Sequence, residues 1–120
     1  MSKIKLRDSF DPHCPVRNIL SRVGDKWSIL VLYTLQNGGT LRFKELKDSI
    51  PDISQKMLTV TLRTLEEDGF VLRKSYATIP PKVEYSVTLR ANDFMKHLQP
   101  LIDWAKGNMD NIVKDRERNI

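Results

Sequence analysis

The tight connection Pro51-Asp52-Ile53 joins two segments of helical apolar spacing, and it restricts this chain more than any other feature. Before it, Phe43, Leu46 and Ile50 share one helical face, and Pro51 breaks the run because its ring removes a backbone donor and crowds the preceding turn. After it, Ser54 suits the N-cap and Ile53 can staple onto Leu58, while Gly69 fits the left-handed position with Phe70 folding back on Leu65. A helix from about Gln55 to Asp68 is therefore bracketed at both ends. Two helices joined this closely form a helix-turn-helix.

The flanking segments complete a mainly α chain with a small β-hairpin. Residues 1–12 alternate charge with single apolar residues and read as an arm. Pro15 fits the first position of a helix beginning near Cys14, in which Val16, Ile19, Leu20 and Val23 recur at helical spacing until Gly24. Asp25 can cap a second helix through Trp27, Ile29, Leu30, Val31, Leu32, Tyr33 and Leu35, apolar on nearly every side and so expected at the buried centre, and Asn37-Gly38-Gly39 ends it. Thr40-Leu41-Arg42 offers one short strand. Phe70 to Ala77 and Val83 to Thr88 read as strands around Thr78-Ile79-Pro80-Pro81-Lys82, which cannot continue a strand and makes a stiff tip. From about Ala91, Phe94, Leu98, Leu101, Ile102, Ala105, Met109, Ile112 and Val113 form a last helical stripe, with Pro100 expected to kink or divide it.

At 120 residues there is room for one domain. The longest apolar stretch, Ile29 to Tyr33, is far below the roughly 20 residues that span a bilayer. The single cysteine cannot form an intrachain disulfide, and the charged N-terminus resembles no signal peptide, so the chain reads as cytoplasmic. Net charge is +5, which favours an anionic partner. Between Thr40 and Arg90, however, nine basic residues face seven acidic ones, so the direction of the charges matters more than their sum.

The order helix, helix, helix-turn-helix, hairpin, helix is that of a winged helix-turn-helix, whose second motif helix enters the DNA major groove. On Gln55 to Asp68, the spacing turns Leu58, Leu62 and Leu65 to the core with Met57 beside them, and Gln55, Lys56, Thr59, Val60 and Arg63 outward. Gln and Arg can contact base edges bidentately, Val60 can touch a thymine methyl, and Ser54 with its neighbours lies where helix N–H groups favour phosphate. Glu66, Glu67 and Asp68 crowd the other end, so only the first half of the helix is expected to approach DNA. Arg73 and Lys74 on the hairpin, Lys82 at its tip and Arg42 before the motif complete the candidate DNA-binding set.

Cys14-Pro15-Val16, Gly24-Asp25-Lys26-Trp27, Arg42-Phe43-Lys44-Glu45-Leu46, Ile53-Ser54-Gln55-Lys56-Met57-Leu58-Thr59, Leu62-Arg63-Thr64-Leu65-Glu66-Glu67-Asp68-Gly69 and Pro80-Pro81-Lys82-Val83-Glu84-Tyr85-Ser86-Val87-Thr88 occur in this order along the chain. Together they resemble the HxlR-type winged helix-turn-helix regulators of bacteria, from about His13 to Trp104. The resemblance implies a winged helix in residues 13–113, followed by a charged tail at 114–120. It also implies a homodimer paired through its N- and C-terminal helices, acting as a sequence-specific transcriptional regulator on a pseudo-palindromic operator, more often to repress. Val60 departs from the polar residues frequent at its position. In some relatives a cysteine matching Cys14 senses oxidants or electrophiles, and the resemblance extends that possibility here, with an inert seam-filling thiol as the alternative. A small-molecule signal between helices bearing Trp27, Tyr33 and Trp104 is the other expectation.

Two rival classes are weaker. His13 and His97 are the sole histidines, no HExxH, CxxC, GxSxG or glycine-rich phosphate loop occurs, and neither an enzyme, a metal site nor a cofactor is expected. A winged-helix protein-interaction module without DNA binding would leave Gln55, Lys56, Thr59, Arg63 and Lys82 without a role.

Overall fold

Pro15 opens the first helix of the computed structural model, α1 (Pro15–Arg22), with Cys14 as its N-cap residue. The structure describes residues 13–119; the expected arm at 1–12 lies outside them. Helix α2 (Lys26–Gly38) is capped by Asp25, whose carboxylate accepts from the Ser28 N–H at 2.8 Å and the Ser28 hydroxyl at 3.0 Å. Gly39 ends it at φ 77°, a left-handed conformation that other residues rarely adopt. Helices α3 (Phe43–Ser49) and α4 (Gln55–Glu67) follow, then strands β1 (Val71–Tyr76) and β2 (Lys82–Val87), and finally α5 (Leu89–Arg118).

Leu32, Leu35, Leu46, Ile53, Leu58 and Leu65 are fully buried and, with Val31, Leu62, Phe70, Ala91 and Met95, form one core beneath the helix-turn-helix. Ser54 caps α4 by accepting from the Met57 N–H at 3.0 Å. Gly69, at φ 80°, turns the chain so that the Phe70 N–H reaches the Leu65 carbonyl at 2.8 Å. β1 and β2 pair antiparallel, with Arg73 opposite Tyr85 and Tyr76 opposite Lys82. Leu41 adds an isolated bridge to Tyr85, where a short strand was expected.

Four expectations need correction. Lys82 begins β2 and is not at the tip, because its backbone pairs with Tyr76. Thr88 leaves the strand to cap α5, accepting from the Ala91 N–H at 3.2 Å and donating to the Gly69 carbonyl at 2.6 Å. Pro100 does not divide α5: one absent N–H within a long helix is outweighed by the turns on either side. The charged segment Lys114 to Arg118 forms the last, exposed turn of that helix. Helix α2 is not buried on every side, since Leu30 and Tyr33 stand exposed.

Candidate nucleic-acid interface

Helix α4 presents two faces built from one periodicity. Leu58, Thr61, Leu62 and Leu65 turn inward, and Gln55, Lys56, Thr59, Val60 and Arg63 line a shallow surface depression of about 520 Å³ on the opposite side. Val60 is 47% exposed among polar neighbours, where an apolar side chain gains nothing from its own fold. Met57, expected beside the core leucines, is 39% exposed because it sits at the edge of the stripe, and Thr61 takes the inward place. Two hydroxyls of the expected set serve the helix itself: Ser54 caps it, and Thr59 donates to the Gln55 carbonyl at 2.9 Å.

Two clefts flank this face. On the wing side a cleft of about 330 Å³ is lined by Phe43, Thr59, Leu62, Arg63, Glu66, Arg73 and Tyr85, which brings Arg63 and Arg73 together across the gap between α4 and the hairpin. Strand alternation separates the other wing cations from them. Arg73 faces α4, while Lys74 and Lys82 lie on the reverse face, their ammonium groups 5.1 and 4.9 Å from the centre of the Tyr76 ring. Lys82 also approaches Glu84 at 3.8 Å. Arg42, exposed, precedes α3, where its N–H donates to Glu45 at 2.9 Å.

The cleft on the other side, about 450 Å³, lies between the α1–α2 corner and α4. Lys26, Trp27, Met57, Val60 and Thr64 are among its walls, and none of them was assigned to DNA from sequence except Val60. The signal was present in the Gly24-Asp25-Lys26-Trp27 string, but periodicity reads Trp27 only as part of the α2 stripe.

At the acidic end of α4, Asp68 turns toward Arg22. Arg22 donates to Asp68 at 2.6 Å and approaches Glu67 at 3.9 Å, and this hydrogen bond and charge raise the Arg22 pKa above its ordinary value. Arg90 donates to the Asp68 carbonyl at 2.9 Å. Asp68 and, more loosely, Glu67 are thus drawn toward Arg22, whereas Glu66 stays exposed in the wing-side cleft beside Arg63 and Arg73.

Elsewhere, α1 buries none of its residues, and Pro15, Val16, Ile19 and Leu20 line an open apolar hollow. Leu101, Trp104, Met109 and Val113 stand exposed along α5. Of Trp27, Tyr33 and Trp104, Trp27 lines the cleft beside α4, and Tyr33 and Trp104 stand exposed. Cys14 is buried at 6% exposure. Among the described residues no cluster of His, Cys, Asp and Glu can hold a metal, and no helix is long and apolar enough to cross a membrane.

A family model described as HxlR-like helix-turn-helix matches residues 22–113. The HTH-type transcriptional regulator YtfH of Escherichia coli (strain K12) is 36% identical over 115 residues, 96% of this chain and 90% of that protein. The solved structure of the transcriptional regulator ytfH from Salmonella typhimurium superposes with a TM-score of 0.79 at 36% identity, covering 96% of this chain and 99% of that one. The redox regulator HypR in its reduced form superposes with a TM-score of 0.76 at 37% identity, covering 84% and 99%.

Proposed function

The chain belongs to the HxlR-like helix-turn-helix family of DNA-binding transcriptional regulators, which are not enzymes, and we propose that it works as a homodimer on a pseudo-palindromic operator. In this reading α4 is the recognition helix. Two copies lie in successive major grooves about 34 Å apart, with the wings flanking each half-site. The observation that carries it is the outward face of α4, where amide and cationic side chains surround an exposed valine and Asp68 at the far end is tied away by Arg22. Arg63 reads a base, and Lys56, Arg73, Lys74, Lys82 and Arg42 meet the sugar-phosphate backbone. The dimer reading rests on α1, whose apolar side chains are exposed among the described residues, and on the exposed stripe of α5. The regulator acts in the cytoplasm and represses by occupying duplex that polymerase needs.

The test is duplex affinity as a function of salt. Phosphate contacts release counterions, so affinity must fall steeply as salt rises. Absence of duplex binding even at low salt would instead support the protein-interaction reading.

The signal in this reading is an oxidant received at Cys14. Support comes from its place as the residue that opens α1, buried so that modification must displace that helix, and from the likeness to a redox regulator. Peroxide would oxidise the thiol by two electrons to a sulfenic acid, releasing water. Operator binding by wild type and Cys14→Ser, with and without peroxide, tests it; equal responses contradict it.

A further inference from the structure

We infer that the cleft between the α1–α2 corner and α4 is a second DNA-backbone site, in which Lys26 holds a phosphate on the side of the recognition helix away from the wing. The inference rests on α4 lying in the major groove. A helix seated there has a phosphate ridge on each side, so an interface with cations on one flank alone is half built. The wing side supplies Arg73 beside Arg63. On the opposite side the cleft of about 450 Å³ holds two cations, Arg22 and Lys26. Arg22 is engaged by Asp68 at 2.6 Å. Lys26 is exposed and forms no ion pair with any described residue.

The cleft's one carboxylate does not compete for it. Asp25 caps α2 through the Ser28 N–H and hydroxyl, so the backbone end of that helix is already closed and the ligand-binding group is the lysine side chain. Trp27, half-buried against the core, holds the Lys26 ammonium 4.1 Å from its ring centre, which fixes the charge at the cleft's rim and lowers the entropy lost on binding. Val60 lines both this cleft and the exposed face of α4, so the lysine borders the same continuous surface that meets the bases. The Asp25-Lys26-Trp27 string thereby gains a division of labour: cap, phosphate ligand, and platform for that ligand.

The experiment measures binding of a duplex, selected from a random-sequence pool by the wild-type protein, over a range of salt concentrations. Wild type, Lys26→Ala, Lys26→Arg and Arg63→Ala are compared, with circular dichroism to confirm folding. Lys26→Ala is expected to bind on the order of three- to tenfold more weakly at low salt and to lose about 0.9 from the salt slope per bound protomer, while Lys26→Arg keeps the slope. If Arg63→Ala weakens binding but Lys26→Ala changes neither affinity nor slope, the phosphate site is overturned and the α4 reading survives. If Lys26→Ala weakens binding with the slope intact, the lysine only positions α4, and the site is likewise overturned. A lowered slope in Lys26→Ala beside an unaffected Arg63→Ala supports the site and contradicts base reading by Arg63.

Discussion

Helices α4 and α1 are both amphipathic, yet among the described residues α4 buries its apolar stripe and α1 does not. The apolar stripe of α4 is buried to the last leucine, and its exposed side is polar apart from Met57 and Val60. In α1 the relation is reversed: no residue is buried, while Val16, Ile19 and Leu20 are 52%, 42% and 61% exposed. A polar exposed face suits a charged, hydrated partner, and an apolar exposed face suits one that removes it from water. Under the proposed function the two helices meet different partners, nucleic acid for α4 and a second copy for α1.

The largest effect is expected at α1. Leu20→Glu should yield a folded monomer by sedimentation and reduce operator affinity by about 10²–10⁴-fold, because each half-site then binds without the other's help. Loss of fold instead would mean that α1 belongs to the core after all. Within α4, Leu58→Ala should lower unfolding free energy by about 2–5 kcal/mol in a denaturant titration, whereas Val60→Ala, on the exposed side, should change it by less than about 0.5 kcal/mol. Arg63→Ala should leave stability alone and cost about 1–3 kcal/mol of operator binding by fluorescence anisotropy. Lys82→Ala should weaken all duplexes alike and lower the salt slope by about 0.9 per protomer.

The smallest effect concerns the tie between the two helices. Arg22→Met should reduce stability slightly, since the ion pair it breaks lies in solvent. Its pH dependence has a definite sign. Asp68 raises the pKa of Arg22 in the folded chain, so the stabilisation is complete below the ordinary arginine value and is lost only as pH climbs through the folded one. Deprotonation of Arg22 therefore adds no slope to thermal stability at neutral or mildly alkaline pH, and such a slope abolished by Arg22→Met would contradict this.

Much of this was legible before any coordinates, for local reasons. Asp25, Ser54 and Gly69 act through backbone groups a few residues away, so caps and turns could be placed from neighbours alone. The inward leucines of α4 followed from a period of 3.6. What stayed hidden depends on how elements meet. Strand alternation separates Arg73 from Lys74, yet which face turns to α4 is set by tertiary packing. Thr88 reads as a strand residue because its β-branched side chain fits one, but the helix behind it needs an N-cap and takes it. Lys26 was invisible as a ligand because its cleft is made by residues some 30 positions apart in sequence.

The most direct test of the assignment of α4 is selection of duplexes from a random pool by wild type and by Arg63→Ala, followed by sequencing. Two symmetric half-sites separated by one helical turn in the wild-type motif, with preference relaxed at one matching position of each half-site in the variant, is the expected result. The same motif with undiminished preference at every position, obtained from a variant that still folds and binds, would contradict it.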